Sequence, residues 1–162
     1  MVERGEASKT EVFHVGDTNI RTILRSGGTV VLETTQFQGL FDLERLDRGR
    51  RSQFRPTTDL VKTYPPSVGQ QITAKFERTE GERTSSLTIV LSTKKTDELY
   101  IGSCRYKVFV MDRSVGADDG SPVFFSTDYY SADLKLIIAK EFREGDGRTS
   151  LNKFDRIYPI KH

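Results

Sequence analysis

The residues best suited to nucleophilic or metal chemistry in this chain are one cysteine, Cys104, and two histidines, His14 and His162. A thiol becomes a working nucleophile when a base stands beside it, so Cys104 with His14 is the pair to weigh. The local pattern argues against it. In Cys104-Arg105-Tyr106-Lys107-Val108-Phe109-Val110 the cysteine alternates onto the same face as Tyr106, Val108 and Val110. An unpaired cysteine in such company behaves as a small buried hydrophobe, and the expectation is a core thiol. His14 lies between Phe13 and Val15 and reads as a surface or rim residue of a strand, while His162 ends the sequence. Zinc takes three or four protein ligands at recognisable spacing, which these residues do not supply.

Carboxylates and glycines are plentiful but not arranged for catalysis. Asp118-Asp119-Gly120 and Glu144-Gly145-Asp146-Gly147 cluster hard oxygen ligands without the spacing of a calcium loop, and both fall between strand candidates, where turns are expected. No pair of Asp or Glu residues is singled out for glycoside chemistry. Gly27-Gly28 and Val15-Gly16-Asp17 lack the glycine spacing and following helix that would cradle a phosphate. No cofactor and no catalytic residue is therefore assigned. The one concentrated charge feature is Arg45, Arg48, Arg50, Arg51 and Arg55. Guanidinium groups bind phosphate or anionic lipid headgroups in a bidentate manner, which makes these five the candidate anion site. Asp42, Glu44 and Asp47 are interleaved with them, so the competing expectation is a solvated hairpin face. Phe54 alone is no base-stacking platform.

Composition sets the frame for these residues. A length of 162 residues suits one ordinary domain with one core. The hydrophobic share of 35% is low and the charged share of 30% high, yet ten Phe and six Tyr supply apolar area that a disordered chain lacks. Formal net charge is +2, with 25 basic residues against 23 acidic ones, so no global field favours a polyanion and nucleic acid is not an expected partner. No apolar run approaches the roughly 18 residues that span a bilayer as a helix, so an integral membrane protein is not expected. The polar start, Met1 to Ser8, shows no apolar leader segment, as a sequence from which a leader had been removed would. A single cysteine forms no internal disulfide and is compatible with an oxidising compartment or a cytoplasmic one.

The elements that must position any site are strands. Ile72-Thr73-Ala74-Lys75-Phe76-Glu77 alternates strictly, and Ser86 to Ser92 and Cys104 to Val110 do so nearly as well. Further strands are expected at 11–15, 20–25, 29–36, 40–46, 123–129, 134–142 and 151–157, rich in β-branched and aromatic residues. Ser26-Gly27-Gly28, Asp47-Arg48-Gly49, Glu80-Gly81, Asp118-Asp119-Gly120 and Gly145-Asp146-Gly147 punctuate them as tight turns. Residues 59–62 could form at most one helical turn. The proline-containing stretch 56–67 is the one substantial loop, read as a crossover between two pseudo-similar halves, each introduced by a Val-Gly pair at Val15-Gly16 and Val68-Gly69. Residues 1–10 are expected to be a flexible N-terminus and 11–162 a single β-rich domain. The fold class expected is all-β, an antiparallel meander of about ten strands forming a curved sheet or incomplete barrel, since long sheet edges must be covered or closed.

Three segments recur in order: Tyr64-Pro65-Pro66-Ser67-Val68-Gly69-Gln70, Ile101-Gly102-Ser103-Cys104-Arg105-Tyr106-Lys107-Val108, and Tyr129-Tyr130-Ser131-Ala132-Asp133-Leu134-Lys135-Leu136. With them the chain resembles uncharacterised proteobacterial cell-envelope proteins, periplasmic or lipoprotein-like, over about its C-terminal two thirds. The resemblance implies an exported β-domain, with a curved sheet like that of lipoprotein carriers, and transfers no catalytic residue. The leading expectation is thus a non-enzymatic binding or structural domain of a bacterial cell envelope, periplasmic or envelope-associated, with a lipid or other envelope component as partner. Two alternatives stand beside it. One is carriage of a lipid or other apolar ligand in the sheet concavity, and the other an enzyme whose groups converge from distant loops.

Overall fold

A computed structural model of the chain describes residues 2–4, 9–118 and 122–160. Strand is the dominant element, as the period-two patterning requires. The order is β1 (Val2–Arg4), β2 (Lys9–Val15), β3 (Asn19–Ser26), β4 (Thr29–Phe37), β5 (Phe41–Asp47), β6 (Arg50–Pro56), a single 3-10 turn (Leu60–Thr63), β7 (Gln71–Glu80), β8 (Arg83–Ile101), β9 (Cys104–Ala117), β10 (Pro122–Ser131), β11 (Leu136–Arg143), β12 (Thr149–Lys153) and β13 (Arg156–Ile157). All thirteen join one antiparallel sheet in the order β12-β11-β10-β9-β8-β7-β6-β5-β4-β3-β2-β1-β13. From β1 to β12 every strand therefore pairs with its sequence neighbours, which is the expected meander. His162, and Asp119 and Gly120 of the expected Asp118–Gly120 turn, lie outside the described residues, as do residues 5–8. Within the stretch expected to be a flexible N-terminus, Val2–Arg4 pairs with both β2 and β13, and Lys9 and Thr10 already belong to β2.

The turns follow the glycine chemistry. At Gly27-Gly28 and at Arg48-Gly49 both central residues have positive φ, the conformation that makes a two-residue hairpin compatible with strand twist. The loop at 56–70 departs from expectation. It is not a crossover, because β6 and β7 pair directly, with Pro56 opposite Phe76. The segment bulges out of a hairpin, and its 3-10 turn, capped by Asp59 accepting from the Val61 N–H, drops Leu60 and Thr63 into the interior. The expected strand at 151–157 is broken in two at Phe154 and Asp155, because Phe154 turns inward while β12 and β13 go to opposite ends of the sheet.

The sheet curls strongly enough for its two ends to meet without closing by hydrogen bonds. β12 pairs only with β11 and β13 only with β1, yet two residues join them. Phe154 bridges the gap. Its ring stands edge-on to Phe13 of β2 at 5.8 Å, and its N–H donates to the Ile138 carbonyl of β11 at 3.3 Å. Inside the curl, Phe37, Leu40, Phe41, Ile72, Phe76, Leu91, Met111 and Tyr130 form the main apolar cluster. A second cluster around Ile20, Leu136, Ile138 and Phe154 is covered by the far end of the long β8–β9 hairpin through Ile101 and Val108. The Lys153 ammonium caps the Tyr100 carbonyl of this hairpin at 3.2 Å, tying it over the seam.

Facing walls are fastened at the β4–β5 turn. Gln38 and Gly39 both have positive φ there, and a Cβ on Gly39 would stand 1.9 Å from the Lys135 carbonyl of the β10–β11 turn. Glycine is required for that approach. The Tyr130 hydroxyl donates to the Gln38 carbonyl at 2.7 Å, and the Arg113 guanidinium donates to the Leu40 carbonyl at 2.8 Å.

Candidate functional site

Register alone assembles a buried ionic group on the inward face of β9, β10 and β11. Arg113 pairs directly with Ser126 across β9–β10, and Asp128 pairs directly with Lys140 across β10–β11. Ser126 and Asp128 are two residues apart on one strand, so all four side chains share a face. The Arg113 Nε donates to Asp128 at 2.5 Å, the Ser126 hydroxyl donates to its other oxygen at 2.7 Å, and the Lys140 ammonium lies 3.5 Å from that same oxygen. Asp128 is fully buried and Arg113 nearly so, whereas the Lys140 side chain keeps 27% of its exposure.

The electrostatics follow from this placement. Burial by itself would raise the Asp128 pKa, but the Arg113 and Lys140 charges and the hydrogen bonds from Arg113 and Ser126 outweigh it and hold the carboxyl below its ordinary value. Burial lowers the Lys140 pKa, opposed by Asp128 and Asp42 and reinforced by the neighbouring Arg113. Two cations thus share one deeply buried carboxylate. Arg113 also stacks over Phe41 at 5.9 Å, and Lys140 lies 5.6 Å above the Phe124 ring, so aromatic faces carry part of the positive charge.

Arg113 and Lys140 of this group line a cavity of about 480 Å³ inside the curl. Most of the remaining lining is apolar: Phe54 of β6, Leu87 and Ile89 of β8, Val115 beside Arg113 on β9, Phe124 of β10, and Ile137 and Phe142 flanking Lys140 on β11. Arg45 and Asp42 of β5 add to the polar lining, with Asp42 accepting from the Gln36 side chain at 2.7 Å. A bulge in β10–β11 between Tyr129 and Tyr130 lets Ile137 and Lys140, three residues apart, both line the space. The cavity runs on into a second hollow of about 360 Å³, where β2 and β3 contribute Phe13, Thr22 and Leu24. The Thr22 hydroxyl, buried there, has no hydrogen-bond partner among the described residues. The volume is within the range of small-ligand sites, and a mainly apolar lining with a few convergent polar groups is their usual composition.

The five arginines do not converge. Alternation along the β5–β6 hairpin puts Arg45 and Arg50 on the face shared with buried Ser52, and Arg51 and Arg55 on the other. Arg48 sits in the turn. Arg45 reaches Asp47 at 3.5 Å, Arg51 reaches Glu44 at 3.4 Å, and Arg55 hydrogen-bonds Glu77 across β6–β7. Only Arg45 faces the cavity. His14 is exposed on β2. Cys104 is exposed too, which corrects the expected core thiol. Its strand-mates Val108 and Val110 are buried as alternation requires, but Cys104, the first residue after the β8–β9 turn, is left in solvent at the hairpin tip although its cross-strand partner Ile101 is buried. Neither residue lines the cavity, and among the described residues no three His, Cys, Asp or Glu side chains are grouped to hold a metal.

Sequence reasoning passed over Arg113, Asp128 and Lys140. The available signal was parity: three charged residues at inward positions of successive strands, among Met111, Val115, Phe124 and Tyr130. The segments carrying the family resemblance proved to be turns or strand ends, at the loop before β7, the β8–β9 tip and the β10–β11 turn.

The fold and cavity define an open, strongly curled antiparallel meander with an amphipathic interior. No family model matches the chain, and no curated protein matches it. Among solved structures, the fold is similar to that of the hypothetical lipoprotein YmcC from Escherichia coli K12, with a TM-score of 0.54 and 12% identity over 89% of this chain and 78% of that one. The likeness is one of fold.

Proposed function

We propose that this chain is a non-enzymatic binding domain of a bacterial cell envelope that carries a small amphipathic ligand in its concavity. One observation supports this above the others: the cavity combines a mainly apolar lining with a few charged groups set among it, while the chain's only thiol and its exposed His14 lie elsewhere. The fold shared with a hypothetical lipoprotein supports the envelope setting. Enclosing apolar chain surface is what half-barrels do well, since inward-facing side chains shield it from water on several sides.

The chain has no tryptophan, which gives a clean optical test. The neutral dye N-phenylnaphthylamine, which brightens in apolar surroundings, should bind the wild type at one site per chain. Leu87→Trp should fill the cavity without disturbing the main apolar clusters, to which Leu87 does not belong. Saturable binding that Leu87→Trp removes supports carriage. Absence of binding, or binding unaffected by the substitution, overturns it.

A further inference from the structure

Resting on that reading, we infer that the cavity selects single-chain amphiphiles with an anionic headgroup, carboxylate or phosphate, and that Lys140 is the residue that receives the head. The chain would lie along Ile137, Phe142, Leu87 and Ile89, which share the same cavity.

Three cations, Arg45, Arg113 and Lys140, face the cavity, and three carboxylates stand near them: Asp47 pairs with Arg45, Asp128 with Arg113 and more distantly with Lys140, and Asp42 is in the lining. Arg113 is nearly fully buried, with its Nε held by Asp128 and one Nη by the Leu40 carbonyl. Asp42 is engaged by Gln36, and Arg45 leans on Asp47 at the rim. Lys140 is different. Its one ion pair among the described residues is a long 3.5 Å contact to an oxygen already taken by the Ser126 hydroxyl, so much of its three-donor ammonium remains available. An under-compensated cation in a partly buried setting is costly, and an incoming anion would relieve that cost. The same ammonium lies against Phe124, whose ring meets Phe142 edge-on at 5.4 Å, so the charged and apolar parts of the site are contiguous. In the joined hollow the buried Thr22 hydroxyl has no partner among the described residues and is placed for a polar atom further along a ligand.

The test compares four chain-matched probes at concentrations below micelle formation: dodecanoate, dodecyl phosphate, methyl dodecanoate and dodecanol. Calorimetric affinities are measured for wild type, Lys140→Met and a control that removes an exposed hairpin charge, Lys95→Met. The wild type should bind one or both anionic probes about ten- to a hundredfold more tightly than the neutral ones, the range expected for a charged hydrogen bond. Lys140→Met should abolish that preference and Lys95→Met should keep it. Preference for only one anion would identify the head as carboxylate or phosphate. Equal wild-type affinity for all four probes overturns the headgroup assignment while leaving carriage standing. No binding of any probe overturns both. A preference that survives in folded Lys140→Met overturns the role of Lys140. Should circular dichroism show that Lys140→Met is unfolded, Lys140→Gln takes its place, and the wild-type comparison of anionic with neutral probes still decides the selectivity.

Discussion

The β5–β6 hairpin and the inward face of β9–β11 each gather charged side chains, and they treat them in opposite ways. On the hairpin, five arginines crowd within eleven residues of sequence, yet alternation divides them between two faces and solvent. On β9–β11, Arg113, Asp128 and Lys140 are separated by fifteen and twelve residues, yet register makes them direct neighbours with almost no water around the carboxylate. Closeness in sequence disperses side chains on a strand, whereas antiparallel pairing concentrates residues distant along the chain. The energetic weights differ accordingly, since exposed ion pairs contribute about 0–1 kcal/mol and a buried partner cannot be removed cheaply.

The sharpest way to break this contrast is to remove one member from each region. Asp128→Ala should lose about 3–5 kcal/mol of folding stability in urea, because Arg113 is then left buried without its counter-ion. A loss below about 1 kcal/mol would mean that water reaches the group and that the two regions are alike. Acid titration addresses the same carboxylate. With its folded pKa held below the unfolded value near 4, Asp128 stabilises the fold above that pH, and the contribution disappears as pH falls through the folded value. The wild type should therefore lose stability on acidification below about pH 4 more steeply than Asp128→Asn, as followed by urea midpoints.

Tyr130→Phe probes the fastening between facing walls. Leaving the Gln38 carbonyl without its buried donor should cost about 1–2 kcal/mol, read from the thermal midpoint. At the hairpin, Arg51→Ala should change stability by no more than about 0.5 kcal/mol, its Glu44 partner being largely solvated. Smallest of all, Cys104→Ser should be nearly neutral within about 0.5 kcal/mol, and the native thiol should react with a bulky reagent as fast as the unfolded one. Slow native labelling would restore the core placement that its strand-mates suggested.

Legibility in the sequence followed apolar alternation closely. Ile72, Ala74 and Phe76 are buried while Gln71, Thr73 and Lys75 are exposed, as the pattern between them dictates. It failed where strands carry no apolar rhythm. Arg50–Pro56 is held as β6 by pairing on both sides, and Thr93 to Glu98 continues β8 through a polar run because β9 lies alongside. The candidate site was invisible for a related reason. A charged residue at an inward position looks like an interruption until its cross-strand partners are known, and only register supplies them. Cys104 shows the converse error, since its strand-mates Val108 and Val110 are buried while the thiol itself, at the hairpin tip, is left in solvent.

The two-residue link through Phe154 and Asp155 also bears on how the molecule folds. Every pairing from β1 to β12 joins consecutive segments and can form by local search, whereas Val2 opposite Ile157 spans nearly the whole chain. Loop-closure entropy makes that strand pairing, the most distant along the chain among the described residues, the natural last one to form. A nascent strip could therefore zip strand by strand during synthesis, with the ring drawn together only when Phe154 arrives to bridge Phe13 and Ile138.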